Sequence, residues 1–375
     1  MKPAHLCHIF PAFGTGGPQV RTTTVINGLN GEFRHTVVAL NGDLSCRGRL
    51  RDPEAVACLE GPPRRGRTPY PVALARLLRS IGPDAILTYN WGGTDGLLAA
   101  RWGGFRRVLH AEDGFGPDEA RGQKLRRVLA RRLLLRTASR VICPSHTLVD
   151  IARHVWFVPP GKVHYIPNGI DTSHFAPAAA DQVEAARRKF GIASAEIVVG
   201  SVGQLRGEKN HERLVRAFAA LTSKQPYRLL MVGDGPLQDH LIRLARELGI
   251  YDRVIFAGAV SDPADCYQAM DVFALSSDTE QMPIAVLEAM AAGLPVVSTD
   301  VGDVRAMVSA GNRAYVVPPG REEAYTAGLA ALVGDPETRR ALGHANRARC
   351  IQEYEVGGMV RAYQRLYRAV LEARR

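Results

Sequence analysis

The sequence predicts an α/β protein built from two doubly wound halves, each a parallel sheet wrapped by helices. Three observations predict it. Short β-branched runs alternate with helical patterns along the whole chain, which is the rhythm of parallel α/β sheets. The length of 375 residues is long for one core and suits two domains of roughly 100–200 residues each. Midway, "PNGIDTSHFAPAAADQ" joins the turn dipeptide Asn168-Gly169 to a stretch of small residues and prolines, the composition of a linker.

In chain order, the strands of the first half read "HLCHIF", "HTVVAL", "DAILTY", "RVLHAE", "RVICPS" and "KVHYIP". Those of the second read "EIVVGSVG", "YRLLMVGDG", "RVIFAG", "DVFALSS", "PVVST" and "AYVV". The expected domains are 1–171 and 172–355, with a helical segment 356–375 that packs back on the first. Two such sheets facing one another leave a cleft at the carboxyl ends of their strands, the usual ligand site for these sheets.

Composition narrows the function classes. With 46% hydrophobic and 23% charged residues, the chain is an ordinary globular protein. Its six cysteines form no C-x-x-C pair, so neither a zinc site nor a disulfide framework is expected, and free thiols in a reducing compartment are. The start, "MKPAHLCHIFPAFGTGG", is cut by Pro11 and shows no cleavage pattern; it does not read as a secretory signal. No uncharged run approaches the ~20 residues that span a bilayer, so the expected location is cytoplasmic. The net charge of +11 is uneven: residues 1–171 carry 24 Lys and Arg against 13 Asp and Glu, and the remainder has 24 of each. Only the first half is expected to meet an anionic partner.

The stretch "TEQMPIAVLEAMAAGLPVVSTD", Thr279 to Asp300, places Glu288 in a run that is otherwise apolar from Ile284 to Ala292. A helix apolar all round belongs in a core, and a carboxylate there needs a partner. Glu280 lies eight residues upstream. Pro283, between the two acids, suits the first position of a helix that contains Glu288, and Gly293 with Pro295 reads as its stop.

These residues, with the strand, loop and helix of "VGSVGQLRGEKNHERLVRAF" and the following "LLMVGDGPLQDHLIRLARELGI" and "RVIFAGAV", resemble the nucleotide-binding domain of the retaining glycosyltransferases of family 4. The resemblance is strong from about Val198 to Val308 and thinner before Asp171. It implies the GT-B fold of two facing Rossmann-like domains with an interdomain cleft, and transfer of a sugar from a UDP- or GDP-linked donor to a hydroxyl acceptor. Glu288 is then expected to accept hydrogen bonds from ribose hydroxyls and Glu280 to lie near the donor sugar. Backbone at Met282, Pro283 and Ile284 would line the diphosphate pocket at a helix N-terminus. The bland alternative is a buried structural salt bridge at Glu288 and a helix cap at Glu280.

Lys209 is the expected counter-charge for the leaving diphosphate, against a solvated loop lysine. Where family members have an arginine five positions before this lysine, this chain has Gln204, and Arg206 stands two residues further on. "GTGG", Gly14 to Gly17, suits the close approach of Gly16 and Gly17 to a phosphate, or a plain strand-to-helix turn. His110, ending its strand, is either a donor-sugar contact or a satisfied core histidine. "GDGP", Gly233 to Pro236, reads as a structural turn. No metal and no cofactor is expected: the nucleotide sugar is a co-substrate.

The basic excess gathers in "RGQKLRRVLARRLLLRTASR", Arg121 to Arg140. Leu125, Val128, Leu129, Leu133 and Leu134 recur at helical spacing with Arg126, Arg127, Arg131 and Arg132 between them. Such a helix lies on an anionic membrane surface or covers the first domain's core with a solvated face. Nucleic acid is not expected, since this stretch has no aromatic to stack a base. The acceptor expected is a glycan or lipid-linked chain of the cell envelope or an exopolysaccharide. The rivals are a GT-B sugar-nucleotide epimerase and a non-catalytic nucleotide-sugar-binding protein; only Gln204 favours the latter.

Overall fold

The computed structural model describes residues 2–373 apart from 30, 65–67, 116, 120 and 121. The chain divides into two compact units, Met1–Asn168 with Gly357–Arg375, and Gly169–Val356.

The first unit is a seven-stranded parallel sheet of β1 (His5–Phe10), β2 (Arg34–Ala39), β3 (Val56–Glu60), β4 (Ala85–Tyr89), β5 (Val108–Ala111), β6 (Arg140–Cys143) and β7 (Val163–Tyr165), in the order β3-β2-β1-β4-β5-β6-β7. Its central strands are buried on both faces, as parallel sheets covered by helices require. Strand β3 is an addition to the six runs read from sequence. It is an edge strand in which only Val56 is fully buried, so it carries no β-branched signal. The helix Val356–Glu372 packs against this unit: Arg368 Nε donates to Glu32 Oε1 at 2.6 Å, Gln364 bonds the same carboxylate, and Tyr367 meets Phe33 edge-on. Residues 374 and 375 lie outside the described residues.

The second unit is a six-stranded parallel sheet of β8 (Ile197–Val202), β9 (Tyr227–Val232), β10 (Val254–Gly258), β11 (Val272–Leu275), β12 (Val296–Thr299) and β13 (Val316–Val317), ordered β10-β9-β8-β11-β12-β13. Two apolar clusters fill it. One includes Val198, Phe273 and Leu287, the other Val199, Leu229 and Leu329. Neighbouring residues Val198 and Val199 thus serve opposite faces, as the two-residue period of a strand dictates.

A chain of buried imidazoles crosses the first sheet. His8 Nδ1 lies 2.8 Å from the Tyr89 hydroxyl and His8 Nε2 lies 3.0 Å from His35 Nδ1. Burial first, then neighbouring imidazoles, push His8 well below the ordinary histidine range and His35 down to about 4. A folded-state value below the unfolded one means that the unfolded chain binds protons more tightly. The stability these two contribute is therefore present above the unfolded value of about 6.5 and is lost as pH falls toward about 4. The urea midpoint is expected to drop between pH 7 and pH 4.5; a midpoint constant over that window would contradict the neutral-imidazole arrangement.

Candidate functional site

In the second unit, β8 has β9 on one side and β11 on the other. The chain leaves the carboxyl ends of β8 and β11 in opposite directions, which makes this the switch point where open α/β sheets bind ligands. The loops after these two strands carry Lys209 and Glu280. Lys209 Nζ donates to Glu280 Oε1 at 2.5 Å, and Ser277 Oγ donates to the same oxygen at 2.7 Å. The two charged side chains keep 24% and 12% of their surface exposed, so the pair is accessible and partly desolvated. A lysine and a glutamate 71 residues apart in sequence are brought into contact by topology alone.

Backbone and side-chain bonds fasten the two loops. Asp278 N donates to Glu208 O at 2.8 Å and Ser276 Oγ to Lys209 O at 3.0 Å. Asn210, at φ 42, caps the helix His211–Ala219 and donates to Asp278. Arg213, almost wholly buried, donates to Ser276 O at 2.5 Å and pairs with Asp278 and Glu322. Two glycines allow close approach from neighbouring loops. At Gly302, φ 55, a Cβ would fall 2.6 Å from Glu280 O, and Asp303 N bonds Gln281 O. At Gly233, φ 130, a Cβ would fall on Gly203 O. "GDGP" is thus a turn that supports the loop bearing Gln204 and Arg206, with Leu205 N donating to Asp234 O at 2.7 Å.

The helix that starts between the two acids and contains Glu288 spans Ile284–Ala291 with Pro283 at its N-cap, one residue outside the position read from sequence. It ends as expected, with Gly293 at φ 74. Val286, Leu287, Ala289, Met290 and Ala291 are buried, yet Glu288 is only half-buried, so this helix is not enclosed on every side. The Tyr267 hydroxyl donates to Glu288 Oε2 at 2.6 Å. Met282 and Pro283 are buried and Ile284 is half-buried at the helix N-terminus.

Gln204 is exposed, and Arg206 is half-exposed with Nε 3.2 Å from Glu208 Oε1. Buried Leu205 between them anchors the loop. Gln204, Arg206 and Lys209 therefore lie on one loop, with the Arg206 guanidinium beside Glu208.

In the first unit, the switch point lies between β1 and β4. Gly16 precedes and Gly17 begins the helix Gly17–Leu29, with Gln19 Nε2 donating back to Ala12 O at 2.8 Å. The loop after β4, which sequence reasoning passed over, begins at Asn90 with φ 54; its Oδ1 accepts from Asp113 N at 2.7 Å. His110 is fully buried on β5, Nδ1 2.8 Å from Thr88 Oγ1 and Nε2 3.6 Å from Glu112 Oε2. Its Nδ1 is satisfied inside the sheet, while the buried Nε2 has no hydrogen-bond partner among the described residues.

In the basic stretch the structure settles which residues face inward. The helix Leu125–Leu134 turns Val128 and Arg131 inward, while Leu125, Leu129 and Leu133 face outward with 72%, 48% and 73% of their surface exposed. Arg131 is enclosed by Glu112 and Glu119, with the rings of Trp91, Phe115 and Trp156 within 5.4 Å of its guanidinium carbon. Arg127 pairs with Asp118 and Glu119. The helix covers the first unit's core through Val128 and Leu134, with Arg126 exposed, but its inward face also carries Arg131 and its outward face three leucines. Desolvated carboxylates demand cations, and that demand outweighs the burial of three leucines. Arg121 lies outside the described residues.

All six cysteines are free thiols. Among the described residues no three His, Cys, Asp or Glu gather as a metal-binding group, and no helix is long and apolar enough to cross a membrane.

Comparison with known proteins agrees with this architecture. Residues 15–174 match the family described as Glycosyltransferase Family 4, and residues 182–349 match Glycosyl transferases group 1. A D-inositol 3-phosphate glycosyltransferase of Kineococcus radiotolerans is 31% identical over 66% of this chain and 61% of its own length. N-acetyl-alpha-D-glucosaminyl L-malate synthase of Bacillus anthracis is 27% identical over 62% of this chain and 60% of its own. The chain thus spans about three fifths of the length of the curated relatives it matches. Anabaena HepE, solved in complex with UDP and glucose, superposes with a TM-score of 0.84 at 18% identity, covering 97% of this chain and 99% of that one. The chain therefore has the GT-B fold and carries a Glycosyltransferase Family 4 domain followed by a Glycosyl transferases group 1 domain.

Proposed function

We propose that this protein is a retaining glycosyltransferase that moves a sugar from a UDP- or GDP-linked donor to a hydroxyl of a glycan or lipid-linked acceptor in envelope or exopolysaccharide synthesis. The observation that carries it is the Lys209–Glu280 contact at the switch point, at 2.5 Å, one helix N-terminus away from Glu288. A diphosphate leaving group gathers negative charge; Lys209, Arg206 and the amides at the start of the helix Ile284–Ala291 are the groups that answer it. Glu288 accepts from the ribose hydroxyls, since an ionised carboxylate offers acceptors only. Glu280, which already accepts from Lys209 and Ser277, meets the donor sugar's hydroxyls. The names of the relatives, each a glycosyl-transferring enzyme, and the UDP and glucose held by HepE support the same reading.

The test is release of UDP or GDP from a panel of α-linked sugar conjugates, with and without added glycan and lipid fractions, and proton NMR of the first sugar product. One donor is expected to be consumed with an α product. A β product first would remove the retaining assignment, and no release from any donor would remove the transfer reaction. An epimerase would instead give an isomer without any acceptor.

For the acceptor side, the exposed Leu125, Leu129 and Leu133 form an i, i+4, i+8 stripe, with exposed Phe157 4.5 Å under the Arg132 guanidinium. Leucines flanked by arginines suit an anionic lipid surface. Leu129→Ser with Leu133→Ser is expected to weaken binding to vesicles containing anionic lipid by more than about 100-fold, each buried leucine contributing about 1.5–3 kcal/mol. Wild-type binding indifferent to anionic lipid, or unchanged by the pair of substitutions, would return the stripe to an inert surface.

A further inference from the structure

We infer that Tyr267 is a positioning residue that sets the carboxylate of Glu288 for ribose, a role resting on the ribose function proposed above. Tyr267 lies on the helix Ala264–Ala269, outside every motif that marks the site in sequence. Its ring is 1% exposed, held edge-on to Phe175 and tilted against Phe273 with centroids 5.8 Å from each. From this fixed ring the hydroxyl reaches Glu288 Oε2 at 2.6 Å, with Ala285 O at 3.3 Å as a longer second acceptor.

The short distance is that of a neutral hydroxyl donating to an ionised carboxylate. Burial, and then the charge of Glu288, raise the Tyr267 hydroxyl well above its ordinary value, so it remains a donor at every working pH. A glutamate's terminal torsion is broad and two-fold when nothing holds it. A hydrogen bond from a rigid aromatic to one oxygen fixes the carboxylate plane before ligand arrives. Two vicinal hydroxyls then meet an acceptor pair already oriented, and the ordering cost is not charged to binding. The hydroxyl touches Glu288 and no reacting atom, so its effect belongs to affinity and to ribose selectivity.

The experiment is calorimetric titration of the full chain with UDP and GDP and with their 2′,3′-dideoxy analogues, in wild type, Tyr267→Phe and Glu288→Ala. Wild type is expected to prefer the ribonucleotide of its donor base by tenfold or more. Tyr267→Phe keeps the ring packing and is expected to shrink that preference by about three- to tenfold while leaving the dideoxy affinity unchanged. Because the readout is a ratio within one protein, partial unfolding does not imitate it. A preference retained in Tyr267→Phe but lost in Glu288→Ala would overturn the positioning role and leave the ribose function standing. No preference in wild type would overturn both.

Discussion

Lys209→Ala is expected to lower kcat with the donor that binds by about 10²–10³-fold, the scale for removing one preorganised charge that faces the developing negative charge of a transition state. The substitution also frees Glu280, whose Oε1 accepts from Lys209 and Ser277. Glu280 then keeps only the Ser277 donor of those two, and an acidic side chain faces an incoming diphosphate without its counter-charge. Donor affinity is therefore expected to fall as well, so that kcat/KM falls further than kcat. Lys209→Arg, which restores charge on a longer, planar group, is expected to recover binding better than turnover. Steady-state kinetics of the three proteins would decide it. Turnover within threefold of wild type in Lys209→Ala would return this residue to a solvated loop lysine.

The second large effect is on stability. Arg131→Met is expected to destabilise the first unit by about 3–5 kcal/mol, because it leaves the buried Glu112 without its arginine and Glu119 with Arg127 alone. Glu112 Oε2 stands 3.2 Å from Arg131 Nε and Glu119 Oε2 stands 3.2 Å from a terminal nitrogen, all fully enclosed. Methionine fills much of the space beneath Trp91, Phe115 and Trp156, which separates the charge effect from a cavity effect. The triple variant Arg131→Met, Glu112→Gln, Glu119→Gln is expected to be more stable than Arg131→Met alone, since no ion remains unpaired. Denaturation followed by the fluorescence of the buried Trp156 reports this unit. A single variant as stable as wild type, or a triple variant worse than the single, would contradict the burial of a charged network.

How far the sequence carries depends on whether a signal is local. The runs that became β8 and β12 were legible because parallel strands buried on both faces favour apolar, β-branched residues. The edge strand β3, with one fully buried side chain, had no such requirement and left no trace. Glu280, Glu288 and Lys209 were legible because a charge inside an apolar run, or beside a glycine loop after a strand, is locally anomalous. Tyr267, Ser277 and Arg213 were not: a tyrosine in a short helix and a serine ending a strand are ordinary until the fold shows what they touch. The inward face of the helix Leu125–Leu134 was not legible for a different reason. Leucine and arginine both recur there every three or four residues, so periodicity fixes the helix and leaves its rotation undetermined. The rotation is decided by Glu112 and Glu119, whose position beside the helix comes from folding of another segment.

The most direct measurement of the central claim is calorimetric titration of UDP, GDP and ADP into the wild-type protein and into Glu288→Ala. The account predicts that one nucleoside diphosphate binds and that Glu288→Ala weakens it by about 10–100-fold, the loss of charge-assisted hydrogen bonds totalling roughly 1.5–3 kcal/mol. Failure of all three to bind, or equal affinity in a folded Glu288→Ala, would contradict it.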